Sequence, residues 1–197
     1  MGAALSGWWR EIYLFTTLNL LWTAALFSLI ALPPATAAVF YVARQALAKD
    51  DVDWRTFVEA IRRYFVPAWR WGLLFLVIGG VLAVNLWVYQ ASAGRLLMWL
   101  RWTWAALLVF WAALNLFFWP FWFAQEASHR TVRVTLRNCL TFLRVNPVPS
   151  LLSTIVLLLL GTVGVLTGVF LGTVFMVWTA LLATAVLAAY LPATDIT

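Results

Sequence analysis

The chain has one cysteine, Cys139, and one histidine, His129. An intrachain disulfide, a C-x-x-C redox pair and a zinc site built from cysteine and histidine are therefore excluded. Acid is almost as scarce. The seven carboxylates are Glu11, Asp50, Asp51, Asp53, Glu59, Glu126 and Asp195, and all fall in connections or ends. No acidic group thus lies inside an apolar run, where a proton relay would need one. Nucleophile-elbow, phosphate-loop and H-E-x-x-H patterns are missing too. These absences leave no expected catalytic residue, metal ligand or cofactor, and the expectation is a protein that is not an enzyme.

What the chain does have is apolar bulk. Hydrophobic residues make up 65% of it and charged residues 10%, with 14 Trp and 14 Phe; a soluble domain carries about 45–50% apolar and about 25% charged residues. No soluble core absorbs that much apolar surface, whereas a bilayer does, with indole and phenyl rings at its interfaces. The formal net charge of +6 resides in short segments between apolar runs. It therefore points to anionic headgroups of the lipid bilayer rather than to nucleic acid, for which no basic domain exists.

The fold class expected is all-α: a polytopic membrane helical bundle of about five transmembrane helices plus two basic amphipathic cytoplasmic helices, forming one membrane domain over 1–197. Spans are expected at about 12–32, 67–89, 96–123, 149–168 and 171–191, since about 20 residues cross the hydrocarbon. The last two come from one apolar run, 149–191, which is about twice as long as a single crossing needs. The turn between them is expected within Gly164–Gly172, where Gly164, Gly168 and Gly172 also form a small-residue pattern suited to close helix packing. Whether that pattern is a turn or a packing face stays open at this stage. Leu32-Pro-Pro-Ala-Thr-Ala has some character of a signal-peptide cleavage region, but the 21-residue stretch preceding it exceeds the usual 7–15, so the first span is expected to remain.

Orientation follows from arginine and lysine, which resist translocation. Arg44, Lys49, Arg55, Arg62, Arg63 and Arg70 follow the first span, and Arg130, Arg133, Arg137 and Arg144 follow the third. Both connections are expected to be cytoplasmic, placing the N-terminus outside and the C-terminus inside at a bacterial inner membrane.

Each of these connections carries an amphipathic segment, at about 54–65 and 130–144. After Asp53, a candidate N-cap, residues Trp54, Phe57, Val58, Ile61 and Phe65 recur at helical spacing and define one apolar stripe. In the second segment Val132, Leu136, Cys139, Leu140 and Leu143 share one side, and Arg130, Arg133, Arg137 and Arg144 project within a sector of about 60° beside it at 100° per residue. Arg55, Arg62, Arg63, Arg130, Arg133, Arg137 and Arg144 are accordingly candidates for lipid or partner contact: such helices rest on membranes or dock proteins. Pro67 and Pro147 mark the passage into the following spans. The span, basic helix, proline, span order occurs twice and suggests a parallel internal repeat.

Polar residues within the spans complete the candidates. Arg101 is near enough to the outer surface to snorkel or to contact an anion. Asn19, Asn85 and Asn115 lie deeper, either as interhelical hydrogen-bond partners or lining a solute path.

Asn19-Leu-Leu-Trp22, Leu32-Pro-Pro-Ala-Thr-Ala-Ala-Val-Phe-Tyr-Val42, Trp54-Arg-Thr-Phe57 and Arg62-Arg-Tyr-Phe65 resemble the YesL-type bacterial membrane proteins of unknown function, and Leu136-Arg-Asn138 with Asn146-Pro147 is similar to that family's second cytoplasmic segment. The resemblance is strongest from Asn19 to Phe65 and only compositional after Pro149. It implies an inner-membrane protein often encoded beside carbohydrate uptake systems of the ATP-binding-cassette class, with no established activity and no catalytic residues to carry over. The expectation is a non-enzymatic accessory protein that partners transporter permease subunits, the alternative being a small-solute transporter or channel. The residues leave the oligomeric state open.

Overall fold

The computed structural model describes residues 2–48, 50, 52–90, 94–167 and 175–190, with the side chains of 2–12, 90 and 163–167 excepted. Every regular element described is helical: α1 Gly2–Leu26, α2 Leu32–Leu47, α3 Trp54–Arg63, α4 Phe65–Gln90, α5 Arg95–Ala124, α6 Val132–Val145, α7 Pro147–Thr167 and α8 Phe175–Tyr190, with a single 3-10 turn at Ala127–His129. Gly168 and Gly172 lie outside the described residues. Gly164 continues α7, so the chain reversal is not at that glycine.

Among the described residues two helices are long and apolar enough to cross a membrane, Phe65–Tyr89 and Arg95–Ala124. A third crossing is available if α6 and α7, bent by 105° at Asn146, are taken as one broken span. Shorter apolar helices run over Tyr13–Leu26 and Phe175–Tyr190. Leu73, Leu76, Val77, Val81, Val84 and Trp87 stand exposed along α4, and Leu151, Leu152, Ile155 and Leu159 along α7. Soluble monomers rarely expose contiguous apolar patches beyond a few hundred Å², whereas hydrocarbon solvates such faces without cost.

The first apolar run is not one helix to Leu32. α1 stops at Leu26, a turn follows in which Ser28 and Ala31 N–H groups donate to Ala25 and Ser28 carbonyls, and α2 begins at Leu32. Pro33 and Pro34 open α2 because the first turn of a helix needs no N–H from them and their fixed φ is already helical. What sequence reasoning treated as a connection is thus a helix, and a central one. Pro34, Ala35, Ala37, Ala38, Val39, Phe40, Val42 and Ala43 are all buried. Their small side chains let α2 lie close against α8, whose Val177, Ala180 and Ala183 are buried in turn. The approach to α4 is as tight: a Cβ on Gly72 would sit 3.0 Å from the Pro33 ring. Trp22 Nε1 donates to Thr36 Oγ1 at 3.0 Å and Trp69 Nε1 to the Ile30 carbonyl at 3.0 Å, pinning both sides of the turn.

The core gathers at one end of the α4/α5 hairpin. From Trp111 to Phe123 nearly every residue of α5 is buried, including the in-helix Pro120, while much of the N-terminal half is exposed. Trp71 of α4 stacks on Phe118 with ring centroids 3.8 Å apart and planes within 1°. Around this slab lie α2, α6 and α8.

Candidate functional site

Asp53 caps α3 as its sequence predicts. Its carboxylate accepts from the Thr56 N–H at 2.9 Å while the Asp53 N–H donates to Thr56 Oγ1, a reciprocal capping box. The Thr56 backbone bond is the main reason the Asp53 carboxyl is held below its ordinary pKa. A carboxyl with a depressed folded pKa stabilises the fold above its unfolded pKa, about 4, and that contribution disappears as pH falls through the lower folded value. Asp53→Asn is therefore expected to keep α3 capped and remove the acid-dependent loss, whereas Asp53→Ala lowers the thermal midpoint already at neutral pH. Thermal unfolding of both variants across the acid range checks this.

The apolar stripe of α3 faces protein. Phe57 and Ala60 are buried, and Val58 and Ile61 pack against the core, chiefly on α2. Trp54 and Phe65 at its ends remain exposed. α6 behaves the same way. Thr131 caps it by accepting from the Val134 N–H, and Thr135, Cys139, Phe142 and Leu143 are buried toward α5 and α7. Burial pushes the Cys139 thiol pKa up, so it stays protonated and packed. Most of the apolar stripe of each helix is thus spent on the protein core, with Trp54 and Phe65 left exposed at the ends of the first.

The arginines are left outside. Arg55, Arg62, Arg63, Arg133, Arg137 and Arg144 are exposed, and among the described residues none has a carboxylate in ion-pair reach. Arg55 lies 5.7 Å over the Trp54 ring and Arg63 5.7 Å over the Tyr64 ring, holding two of the cations on aromatic faces.

Arg130 does not belong with the α6 set. The helix starts at Val132, so the 60° projection fails for this residue. Arg130 instead lies in the α5–α6 connection, where its Nε donates to the Gln125 carbonyl at 3.1 Å. Gln125 is buried and its Nε2 donates to Thr135 Oγ1 at 3.1 Å, tying the end of α5 to α6.

The intramembrane candidates separate clearly. Asn19 is fully buried, and its Oδ1 accepts from the backbone N–H groups of Met176 at 2.8 Å and Val177 at 3.4 Å. It caps the start of α8 from α1. Asn85 and Asn115 turn back on their own helices, donating to the Val81 and Trp111 carbonyls at 2.8 and 2.7 Å. Arg101 lies partly buried, 5.7 Å over the adjacent Trp102 ring. The four are not gathered into one site. Among the described residues no group of three or more His, Cys, Asp and Glu is placed to hold a metal ion.

Sequence reasoning used Arg44 only for orientation and Tyr41 only within the resemblance, and passed over Gln45; all three lie in the unrecognised helix α2. Arg44 and Arg130 act on one another as like charges, and desolvation followed by that repulsion lowers the Arg44 pKa from its ordinary value.

Residues 15–86, from within α1 through most of α4, match a family described as "Protein of unknown function, DUF624". The match covers the helix α2 and the capped helix α3 and supports an uncharacterised family. No curated protein and no solved structure matches the chain.

Proposed function

We propose that the chain is a multi-pass membrane protein without catalytic activity that uses the arginines of α3 and α6 as a docking face for an acidic protein surface. The observation that supports this is the pairing of largely buried apolar stripes with exposed cations: Phe57 and Ala60 of α3 and Cys139 and Phe142 of α6 are spent on the core, while six arginines are exposed and, among the described residues, make no direct ion pair, Arg55 alone lying in the electrostatic range of a carboxylate, Asp53. A helix resting on lipid needs its apolar face free. With most of that face spent on the core and only Trp54 and Phe65 exposed at its ends, electrostatic recognition of a partner is what the remaining surface suits.

In this reading α1, α7 and α8 join α4 and α5 as five crossings, with α3 and α6 on the cytoplasmic side as the positive-inside rule favours. The resemblance to YesL-type proteins favours permease subunits of a carbohydrate uptake system of the ATP-binding-cassette class as the partner.

A mild-detergent pull-down of the tagged chain from its native membrane, with mass spectrometry of what co-purifies, tests the reading. Permease subunits are expected, and replacing Arg133, Arg137 and Arg144 with Gln should reduce their recovery about tenfold or more, each cation near an anionic surface contributing about 1 kcal/mol. The loss should be mimicked by salt, which screens exposed charge. Unchanged recovery in that triple variant would remove α6 from the interface. Recovery of no partner, with solute flux in liposomes, would instead favour an autonomous carrier.

A further inference from the structure

Three segments meet beside the α3–α4 junction: the last turns of α2, the junction residue Tyr64 and the α5–α6 connection. The Tyr41, Tyr64 and Phe123 rings form a closed triangle there, with centroids 5.4, 5.5 and 5.0 Å apart. Arg44 follows Tyr41 by three residues on α2 and so shares its face. Two residues beyond Phe123, the Gln125 carbonyl accepts from Arg130 Nε at 3.1 Å, which fixes that guanidinium and leaves its two terminal nitrogens for another acceptor. Gln45 Nε2 donates to the Tyr41 hydroxyl oxygen at 3.2 Å, freeing the Tyr41 O–H to donate onward, and the other end of the same amide, Gln45 Oε1, is buried without a partner.

Arg130, fixed by the Gln125 carbonyl, and Arg44, exposed on the Tyr41 face of α2, thus come within each other's electrostatic range, with no carboxylate paired to either among the described residues. Like charges so placed repel unless an anion lies between them. From this convergence we infer that Arg44, Arg130 and the Tyr41 hydroxyl form a clamp for a phosphate group. Guanidinium forks match phosphate oxygens in pairs. A lipid headgroup and a soluble phosphate share this chemistry. The inference does not depend on the docking role of α3 and α6, whose arginines are different residues.

The full chain, delipidated in an uncharged detergent, supplies the test. Thermal unfolding is followed with inorganic phosphate against chloride at matched ionic strength, and native mass spectrometry with phosphatidylglycerol against diacylglycerol, which lacks the phosphate. The wild type should be stabilised by at least one of the two phosphate probes and by neither control. A response to phosphatidylglycerol alone identifies a headgroup site, and a response to inorganic phosphate alone a soluble-ligand site.

Arg44→Gln and Arg130→Gln should each weaken the response about tenfold or more, the loss expected for a charge-assisted hydrogen bond. The α6 variant with Arg133, Arg137 and Arg144 replaced by Gln should respond as the wild type does, which separates failure of this clamp from failure of the docking face. Without phosphate, Arg44→Gln should be at least as stable as the wild type, because it removes a repulsion, and it decides the matter by itself if Arg130→Gln does not fold. A response unchanged in Arg44→Gln, no response of the wild type to either probe, or an Arg44→Gln protein less stable than wild type without phosphate would each overturn the clamp.

Discussion

Asn19→Leu is expected to destabilise the protein by about 2–4 kcal/mol, because it strands two buried backbone N–H groups that each cost about 1–3 kcal/mol without an acceptor. Those groups belong to Met176 and Val177 at the start of α8, and the acceptor is the Asn19 side-chain carbonyl of α1. Leucine fills nearly the same volume and offers nothing to accept. Water is no substitute at a fully buried position. Asn85→Leu is the control: that amide donates only to the Val81 carbonyl one turn back, which retains its helical N–H donor, so the change should stay within about 0.5 kcal/mol. Unfolding in graded denaturing detergent measures both. Equal effects for Asn19 and Asn85 would show that the cap between α1 and α8 contributes nothing, and a loss of flux without a loss of stability would return Asn19 to a solute path.

How legible this arrangement is from the residues alone depends on which physical signal each element carries. α4 and α5 announce themselves by apolar length, and α3 by the period of Phe57, Val58 and Ile61 behind the Asp53 cap. The helix α2 hides for two reasons. Its paired prolines look like an interruption although they occupy the first turn, and its run of alanines is too short and too small to stand out as a span. Missing α2 also conceals that Tyr41, Arg44 and Gln45 share one helix. The projection of Arg130 onto α6 fails because it assumes a helix start two residues too early, and helix boundaries are what local pattern specifies least. Asn19 was recognisable as polar and deep. Its acceptor role was not, since α8 lies more than 150 residues further along the chain and no local pattern links the two.

The sharpest division in the fold runs through the middle of α5, and side-chain truncation should expose it. Phe118→Ala is expected to cost about 2–3 kcal/mol and Phe110→Ala less than about 0.5 kcal/mol, although both are phenylalanines in one helix. Phe118 is fully buried, stacked on Trp71 at 3.8 Å and edge-on to Trp119 at 5.2 Å, whereas Phe110 is 42% exposed. In a bilayer the usual transfer term nearly vanishes, because lipid is as apolar as the side chain. What remains is the packing lost around an unfilled cavity: roughly 100 Å³ at about 24 cal/mol per Å³ gives the figure for Phe118. At Phe110 lipid tails fill the space and no cavity forms. Denaturing-detergent unfolding of the two variants should therefore separate by a factor of four or more in free energy. Equal costs would mean that the outer half of α5 is packed against protein in the membrane, on a second copy or on a partner that covers Phe110.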